Sequence, residues 1–356
     1  MVKTSPAILF RRRVVSKARA IELYVTSECT LACRHCCTDF KNRNAFLPRE
    51  TIYELLKEAK TLDVEIIHIT GGEPFLRKDI LKILSKMLNL DYYVTLVTSG
   101  QINLSRLQLK KLKEFSDTGS FELLISIDGM RKEHEFLRGE GTYKRSLSFA
   151  LNSLLVDINL AIITCVSRIN IKTLPTFIYS TKEYGIKNMV FLYFTPTGRG
   201  KMLKEFLVPL RLWKKTMDSV LKIKGDINID YEQCYLPKKH LKKTGELCKV
   251  KKGELLCLSP DGVVFPCILL KDFPVGVFKK GQLHRLWYRT SKMPQLIHNN
   301  IRNNINCEDV VICGGGCVGF SSHVINGNLP CDERCEKEIN LYPICPLVFH
   351  KELRLD

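Results

Sequence analysis

Six short β-rich runs alternate with longer amphipathic stretches between Ala20 and Phe194. The predicted strands are Ile21–Thr26, Glu65–Thr70, Tyr92–Thr98, Glu122–Ile127, Asn159–Val166 and Asn188–Phe194. The predicted helices are Arg49–Thr61, Asp79–Leu88, Ser105–Phe115, Tyr143–Val156 and Leu174–Tyr184. Strands that alternate with helices of this length indicate a parallel sheet with right-handed crossovers. Six such units predict an α/β fold, a partial (β/α)6 TIM-like barrel whose functional groups lie at the C-terminal ends of the strands.

The chain divides into four segments by composition. We expect a basic N-terminal segment over 1–18, the partial barrel over 19–200 and a Lys-rich helical connector over 201–247. Glycine, proline and cysteine rise from about Cys248, and long periodic segments vanish there. We therefore expect 248–356 to form a smaller cysteine-rich domain that metal organises.

Fifteen cysteines in 356 residues are an unusually high number, and they occur in groups. Many cysteines indicate either disulfides outside the cell or metal sites inside it. The first thirteen residues lack the apolar core of a signal peptide, and no stretch reaches about 18 uncharged apolar residues. We therefore expect a cytoplasmic protein without a membrane span, with cysteines that bind metal. A hydrophobic content of 45% excludes a mainly disordered chain.

The formal charge is +18, and many of the lysines fall between Arg199 and Lys252. Lysine-rich helices usually form a solvated surface, although the same stretch could attract an acidic partner such as a peptide or an RNA. A nucleic-acid partner is disfavoured because aromatic residues do not alternate with the basic ones.

The first cysteine group follows the first predicted strand as Cys29-Thr-Leu-Ala-Cys33-Arg-His-Cys36. Three thiolates in one short loop suit an iron–sulfur cluster that leaves one iron without a protein ligand. The alternative is a zinc knuckle, but zinc sites prefer two CxxC pairs and no second pair is present here. We expect the neighbouring Cys37 to be a packed thiol.

These residues resemble the radical S-adenosylmethionine (SAM) superfamily, and the resemblance continues along the strands. Four further motifs resemble those of the superfamily. They are Gly71-Gly72-Glu73-Pro74 after strand two, Thr98-Ser99-Gly100 after strand three, Ser126-Ile127-Asp128-Gly129 after strand four, and the stretch His134 to Thr142 that contains Arg138. Pro196-Thr197-Gly198-Arg199 and Asn170 resemble later parts of the same pocket.

The resemblance implies a SAM-binding 4Fe–4S cluster held by Cys29, Cys33 and Cys36. It also implies a SAM pocket lined by the residues of the four motifs: Gly71, Gly72, Glu73, Pro74, Thr98, Ser99, Ser126, Asp128 and Arg138. In such enzymes one electron, from a reductant such as ferredoxin or flavodoxin, cleaves SAM to a 5′-deoxyadenosyl radical that abstracts hydrogen. The protein orients the reactants and excludes solvent and oxygen.

The second cysteine region is similar to the SPASM extension of radical SAM enzymes, which carries auxiliary 4Fe–4S clusters. By that pattern one cluster would be held by Cys248, Cys257, Cys267 and Cys317, and the other by Cys307, Cys313 and Cys335. Asn304 stands where the pattern has a cysteine, so Cys331 or Cys345 would have to substitute for it, or the cluster is open or missing. The expectation is therefore one or two auxiliary clusters. A zinc-ribbon-like module is the alternative.

Three functions follow in order of preference. The first is a radical SAM/SPASM maturase that modifies a peptide or protein. The second is a radical SAM enzyme that acts on a small molecule such as a porphyrin side chain. The third is a non-enzymatic zinc protein that binds nucleic acid. Because the first strand begins near residue 20, we expect a peptide substrate to be delivered by a separate protein or to bind the basic stretch directly.

Overall fold

The computed structural model describes residues 18–40, 42–231, 248–306, 317, 319 and 340–341. These residues fall into two compact units. The first comprises the described residues up to Tyr231 together with Ser259–Gly262, and the second comprises the others.

Seven parallel strands, adjacent in chain order, form the sheet of the first unit. They are β1 (Arg19–Tyr24), β2 (Val64–Thr70), β3 (Tyr93–Thr98), β4 (Phe121–Ser126), β5 (Leu160–Val166), β6 (Asn188–Tyr193) and β7 (Asn228–Tyr231). The helices are α1 (Arg49–Lys60), α2 (Ile80–Leu88), α3 (Arg106–Asp117), α4 (Arg131–Arg138), α5 (Thr142–Leu155), α6 (Leu174–Glu183) and α7 (Leu210–Ile223). The predicted α/β fold with a parallel partial barrel is confirmed.

Two elements of this unit were not expected. Helix α4 is eight residues long and buries only His134 and Leu137, so it offers too few apolar positions for a helical period to stand out. Strand β7 pairs in parallel with β6 inside the stretch for which we expected a helical connector, and its four residues are only half-buried.

Alternation along the strands sorts the side chains between two faces of the sheet. Leu124, Ala161, Ile163 and Val190 from β4, β5 and β6 pack into one cluster, which places them on a common face. Because neighbouring positions point to opposite faces, Ser126 at the end of β4 and Cys165 on β5 share this face. The ends of β4 and β5 therefore place side chains on the same face of the sheet.

Three turns that lead into strands each contain an aspartate in the left-handed backbone conformation. Asp63 before β2, Asp91 near the start of β3 and Asp157 before β5 have φ values of 53°, 56° and 55°. Aspartate tolerates this left-handed conformation better than most residues because its short side chain can hydrogen-bond locally. The turns are on the N-terminal edge of the sheet, opposite to the candidate site.

The second unit contains an antiparallel group, β8 (Leu255–Leu258), β9 (Val263–Phe265) and β10 (Gly276–Val277), with β11 (Ile305–Asn306) paired to β12 (Asn340–Leu341). It also contains α8, Leu283–Asn304. The expectation that long periodic segments vanish after Cys248 is therefore wrong. Leu283, Leu286, Thr290 and Met293 are all buried at helical spacing, and this period accounts for the first half of a helix of 22 residues.

No helix among the described residues is long and apolar enough to cross a membrane.

Candidate active site at the C-terminal ends of the strands

The loop after β1 brings three thiols into one place. Cys29 is exposed, Cys36 is half-buried and Cys33 is buried. Burial, together with the charges of Cys36, Asp128 and Cys29, raises the pKa of Cys33 to about 11 against the opposing charge of Arg138. Desolvation and the charges of Glu73 and Cys36 also raise the pKa of Cys29. The thiols thus lie within reach of one another's charge, and a bound cationic centre would be needed to ionise all three.

The donor set fits an iron–sulfur cluster. Among the described residues, no three His, Cys, Asp or Glu side chains converge tightly enough for a single metal ion. Cysteines around a 4Fe–4S cube stand further apart than those around one zinc ion, because the cube lies between them. Three thiols in one loop are the donor set of an iron–sulfur cluster that leaves one iron without a protein ligand.

The cysteine loop is held by the turn that follows β6. The backbone N–H of Arg199 donates to the Cys36 carbonyl at 2.9 Å, and its Nε–H donates to the Cys33 carbonyl at 3.0 Å. Gly198 adopts φ +59°, and a Cβ there would lie 2.4 Å from the Cys36 oxygen. Only glycine permits this approach without displacing the loop.

Gly71 and Gly72 let the end of β2 run against the start of the cysteine loop. A Cβ on Gly71 would lie 2.3 Å from the Thr26 oxygen, and one on Gly72 would lie 1.8 Å from the Glu28 oxygen. The backbone N–H of Gly72 donates to Thr26 at 2.7 Å, and that of Glu73 donates to Glu28 at 2.6 Å. The two glycines therefore leave room for the backbone of Thr26 and Glu28. Pro74 begins a buried 3₁₀ turn, Pro74–Leu76.

The Glu73 carboxylate is fully buried and its acceptors are used within the protein. Oε1 accepts from the Thr98 hydroxyl at 2.8 Å and from Phe75 N–H at 3.3 Å. Oε2 accepts from the Ser99 hydroxyl at 2.6 Å and from its N–H at 2.9 Å. Burial raises the pKa of Glu73 and these hydrogen bonds oppose the rise. Glu73 thus fastens the end of β2 to the end of β3, including the predicted residues Thr98 and Ser99.

Asp128 forms the electrostatic centre of the site. Its buried carboxylate accepts from Arg138 Nε at 2.5 Å and from Cys165 N–H at 2.8 Å, and His35 Nε2 lies 3.2 Å away. Burial alone would raise the pKa of Asp128, but the charges of Arg138 and His35 hold it well below its usual range. Burial acts to lower the pKa of Arg138, but the charge of Asp128 and the other anionic groups around it raise that pKa above its usual value. The predicted pair Asp128 and Arg138 is therefore ionised and lies beside the thiol of Cys33.

Polar groups of three residues near this centre remain available. Arg138 donates only through Nε to a described residue, so its terminal N–H groups are left for another acceptor. His35 Nδ1 is buried and has no hydrogen-bond partner among the described residues. The hydroxyl of Ser126, at the end of β4, likewise bonds to no described residue.

His134 and Asn170 support Asp128 through its backbone. His134 Nδ1 accepts from the Asp128 N–H at 3.1 Å, and burial followed by the charge of Arg138 lowers the pKa of His134 to about 3. Asn170 donates to the Asp128 carbonyl at 3.0 Å and to the Cys165 carbonyl at 2.8 Å. The sequence singled out both residues, but their partners depend on contacts between separate strands.

The second unit brings together part of the other cysteine group. Burial raises the pKa of Cys267, and the charges of Cys317 and Cys248 raise it further, so these three thiols lie within electrostatic range of one another. The Cys257 thiol is buried and lies 3.9 Å from the Pro266 carbonyl. The other predicted ligands, Cys307, Cys313, Cys331 and Cys335, lie outside the described residues, as does Cys345.

Comparison with known proteins identifies a domain family within the first unit. The profile described as "Radical SAM superfamily" matches residues 23–178, which span β1 through α6. The cysteine loop and every residue of the Glu73 and Asp128 hydrogen-bond networks fall within this range. Residues 23–178 therefore form a radical SAM domain.

Curated relatives include the PqqA peptide cyclase of Methylorubrum extorquens, which is 27% identical over 263 residues. That match covers 70% of this chain and 66% of the relative, so the chain spans slightly less than two thirds of the relative's length. The PqqA peptide cyclase of Rhizobium meliloti is 24% identical over 315 residues, covering 82% of this chain and 80% of the relative.

Two solved structures share the fold. Streptococcus suis SuiB bound to the precursor peptide SuiA has a TM-score of 0.71 and 18% identity, covering 93% of this chain and 79% of that one. The protein anSMEcpe with bound AdoMet and the Cp18Cys peptide has a TM-score of 0.64 and 17% identity, covering 94% and 95%.

Proposed function

We propose that this radical SAM enzyme modifies a peptide or protein. The observation that carries the radical SAM chemistry is the buried Asp128–Arg138 ion pair beside the Cys33 thiol, at the C-terminal ends of the strands. Support for a peptide substrate comes from the similarity to PqqA peptide cyclases and from the fold shared with SuiB and anSMEcpe, each solved with a peptide.

Cys29, Cys33 and Cys36 would hold the 4Fe–4S cluster, and the residues around Asp128 would hold SAM. When bound together, the reduced cluster and SAM supply the radical that removes hydrogen from an unreactive C–H bond. The free N–H groups of Arg138 suit a carboxylate, because a guanidinium can donate two parallel hydrogen bonds to it. The Ser126 hydroxyl offers a further donor or acceptor on the same face.

The other predicted pocket residues position the strand ends and the side chains that form the site. Glu73 joins the ends of β2 and β3 through Thr98 and Ser99, and Gly71 and Gly72 allow β2 to approach the cysteine loop. Asp128 fixes the guanidinium of Arg138 in a buried setting, so the cation is oriented before a ligand arrives. These roles preorganise the pocket.

We also propose that the second unit holds one or two auxiliary 4Fe–4S clusters. The mutual charge effects among Cys248, Cys267 and Cys317 support one of them, with Cys257 as a further ligand. Cys307, Cys313, Cys331 and Cys335 would serve the other. The domain bounds of 1–18, 19–200, 201–247 and 248–356 remain part of this proposal, as do a ferredoxin- or flavodoxin-type reductant, a separate peptide-delivery protein and a cytoplasmic location.

The first test is anaerobic reconstitution followed by measurement of iron, sulfide and zinc per chain. We expect about 12 iron atoms for three 4Fe–4S clusters and about 8 for two. The Cys29/Cys33/Cys36→Ala triple variant should lose about 4 iron atoms and should no longer form 5′-deoxyadenosine from SAM with dithionite as reductant. The matched control is Cys37→Ala, which should retain both. Zinc without sulfide in the wild type would refute the proposal.

The second test addresses the substrate. Short peptides encoded next to the gene, and as a comparison a set of porphyrins, are incubated with the reconstituted enzyme, SAM and dithionite. We expect a mass change in a peptide that depends on both SAM and the three cysteines. Modification of a porphyrin with no change in any peptide would contradict the peptide assignment.

A further inference from the structure

The cysteine loop carries an exposed arginine on its outer side. Arg34, between Cys33 and His35, is exposed, and its backbone N–H donates to the Leu137 carbonyl at 2.8 Å. Its guanidinium lies 4.4 Å from the ring centre of Phe136, and the rings of Phe136 and Phe206 are 6.0 Å apart. The loop and the end of α4 therefore form one continuous surface.

The turn after β6 extends this surface. Arg199, which bonds to the carbonyls of Cys33 and Cys36, is followed by the exposed residues Lys201 and Met202. Arg168 joins from another side, because its backbone N–H donates to Phe206 at 2.9 Å and its Nε–H donates to Leu207 at 2.7 Å. The cationic rim, as we name it, consists of Arg34, Phe136, Arg168, Arg199, Lys201 and Met202.

No carboxylate in the described part of the chain neutralises the positive charges of the cationic rim. None of its four cations lies within ion-pair distance of a carboxylate among the described residues, whereas Arg131 on the neighbouring α4 pairs with Glu135 at 3.1 Å. Its two apolar members are also exposed, Phe136 at 41% and Met202 at 83%. Unpaired cations around exposed apolar side chains are typical of a surface that binds an acidic protein partner.

We propose that the cationic rim is the docking surface for an acidic protein that donates single electrons to the cluster of the cysteine loop. This inference rests on the proposed function, since it requires the cluster. The donor's reduced flavin or iron–sulfur centre loses one electron, and the enzyme's cluster gains it. The rim suits this task because Arg199 bonds directly to the backbone of two cluster cysteines, so a docked donor would lie close to the acceptor.

An acidic substrate peptide is the competing occupant of such a surface. The donor is favoured because the cations of the cationic rim are exposed or half-buried, while the groups left free for ligands lie beside the fully buried carboxylate of Asp128. A substrate must reach the face of the sheet that carries Ser126, whereas an electron donor needs only proximity to the cluster.

The test uses the reconstituted holoenzyme and an acidic flavodoxin. The variant is Arg168→Glu/Lys201→Glu, which changes the rim charge without altering a cluster cysteine or its direct hydrogen-bond partners. The matched control is Arg106→Glu/Lys110→Glu, which makes the same charge change at two exposed positions of α3. Flavodoxin binding is measured by calorimetry at two salt concentrations, and cluster reduction is followed by stopped-flow absorbance.

We expect the rim variant to bind flavodoxin about tenfold more weakly at low salt and to be reduced by it correspondingly more slowly. The control variant should match the wild type, and all three proteins should cleave SAM equally with dithionite. Equal flavodoxin binding by the rim and control variants would overturn the proposal. So would a rim variant that loses affinity for a poly-glutamate peptide but not for flavodoxin. Failure of the wild type to cleave SAM with dithionite would instead refute the proposed function.

Discussion

Replacement of Asp128 by asparagine tests whether the buried ion pair stabilises the site. Asparagine has nearly the same volume, and its oxygen can still accept from the Cys165 N–H. Its amide nitrogen would then face Arg138 Nε and His35 Nε2, so donors would meet donors. The variant leaves the cation of Arg138 in a largely buried position without its counter-charge.

Loss of one partner from a buried ion pair typically costs about 3–5 kcal/mol. The Asp128 side chain is fully buried and that of Arg138 is 13% exposed, so water can solvate the cation only slightly. We therefore expect Asp128→Asn to lower the free energy of unfolding of the first unit by about 3 kcal/mol. With a urea dependence of about 3 kcal/mol per molar, the midpoint would fall by about 1 M.

Tryptophan fluorescence provides the assay, because the chain has only Trp213 and Trp287. In a Trp287→Phe background, Trp213 is the single tryptophan and reports urea unfolding of the first unit. The double variant Asp128→Asn/Arg138→Gln should cost at least about 1 kcal/mol less than the sum of the single variants, because both remove one interaction. A single-variant cost below about 0.5 kcal/mol, or a fully additive double variant, would refute the reasoning.

Two further predictions concern the supports of the site. Gly198→Ala should shift the cysteine loop and lower the iron content after reconstitution by about 4 per chain, because its Cβ would meet the Cys36 oxygen. The control is Gly185→Ala, which has a similar φ of +77° but open space around its Cβ position and should keep its iron; equal loss in both variants would contradict the steric argument. His134 has a pKa lowered to about 3 in the fold, so stability should fall as pH drops below about 6.5, where only the unfolded chain gains the proton. Between pH 7.5 and 5, His134→Gln should remove about 2 kcal/mol of this pH dependence, and an unchanged slope of urea midpoint against pH would count against it.

The sequence predicted the regular elements of the first unit well because their signals are local. Each of the six predicted strands was found within two residues of its expected start and end, as for β1 at Arg19–Tyr24 against the predicted Ile21–Thr26. The five predicted helices were equally close. Elements with weak local patterns were missed, namely the short α4 and β7, and α8 was missed in a region where cysteine, glycine and proline dominated the composition.

The candidate site was predictable as a set of positions but not as a set of contacts. The cysteine spacing and the motifs named the loop, Glu73, Asp128 and Arg138. No local pattern shows that Glu73 accepts three of its four hydrogen bonds from the end of β3, or that Asp128 joins His35 to Arg138. These contacts arise from the register of neighbouring strands, which brings residues from distant parts of the chain together.

The hydrogen bond from Arg199 to Cys33 joins residues that are 166 positions apart. The cysteine loop is made early in synthesis, but the turn that fastens it emerges only after β6. Long-range contacts of this kind form late, because closing the intervening chain costs entropy before the contact repays it. During translation the loop with the three thiols therefore lacks its hydrogen bonds to Arg199 until the turn after β6 has been made. Iron that requires the finished geometry can be inserted only after nearly the whole first unit has left the ribosome.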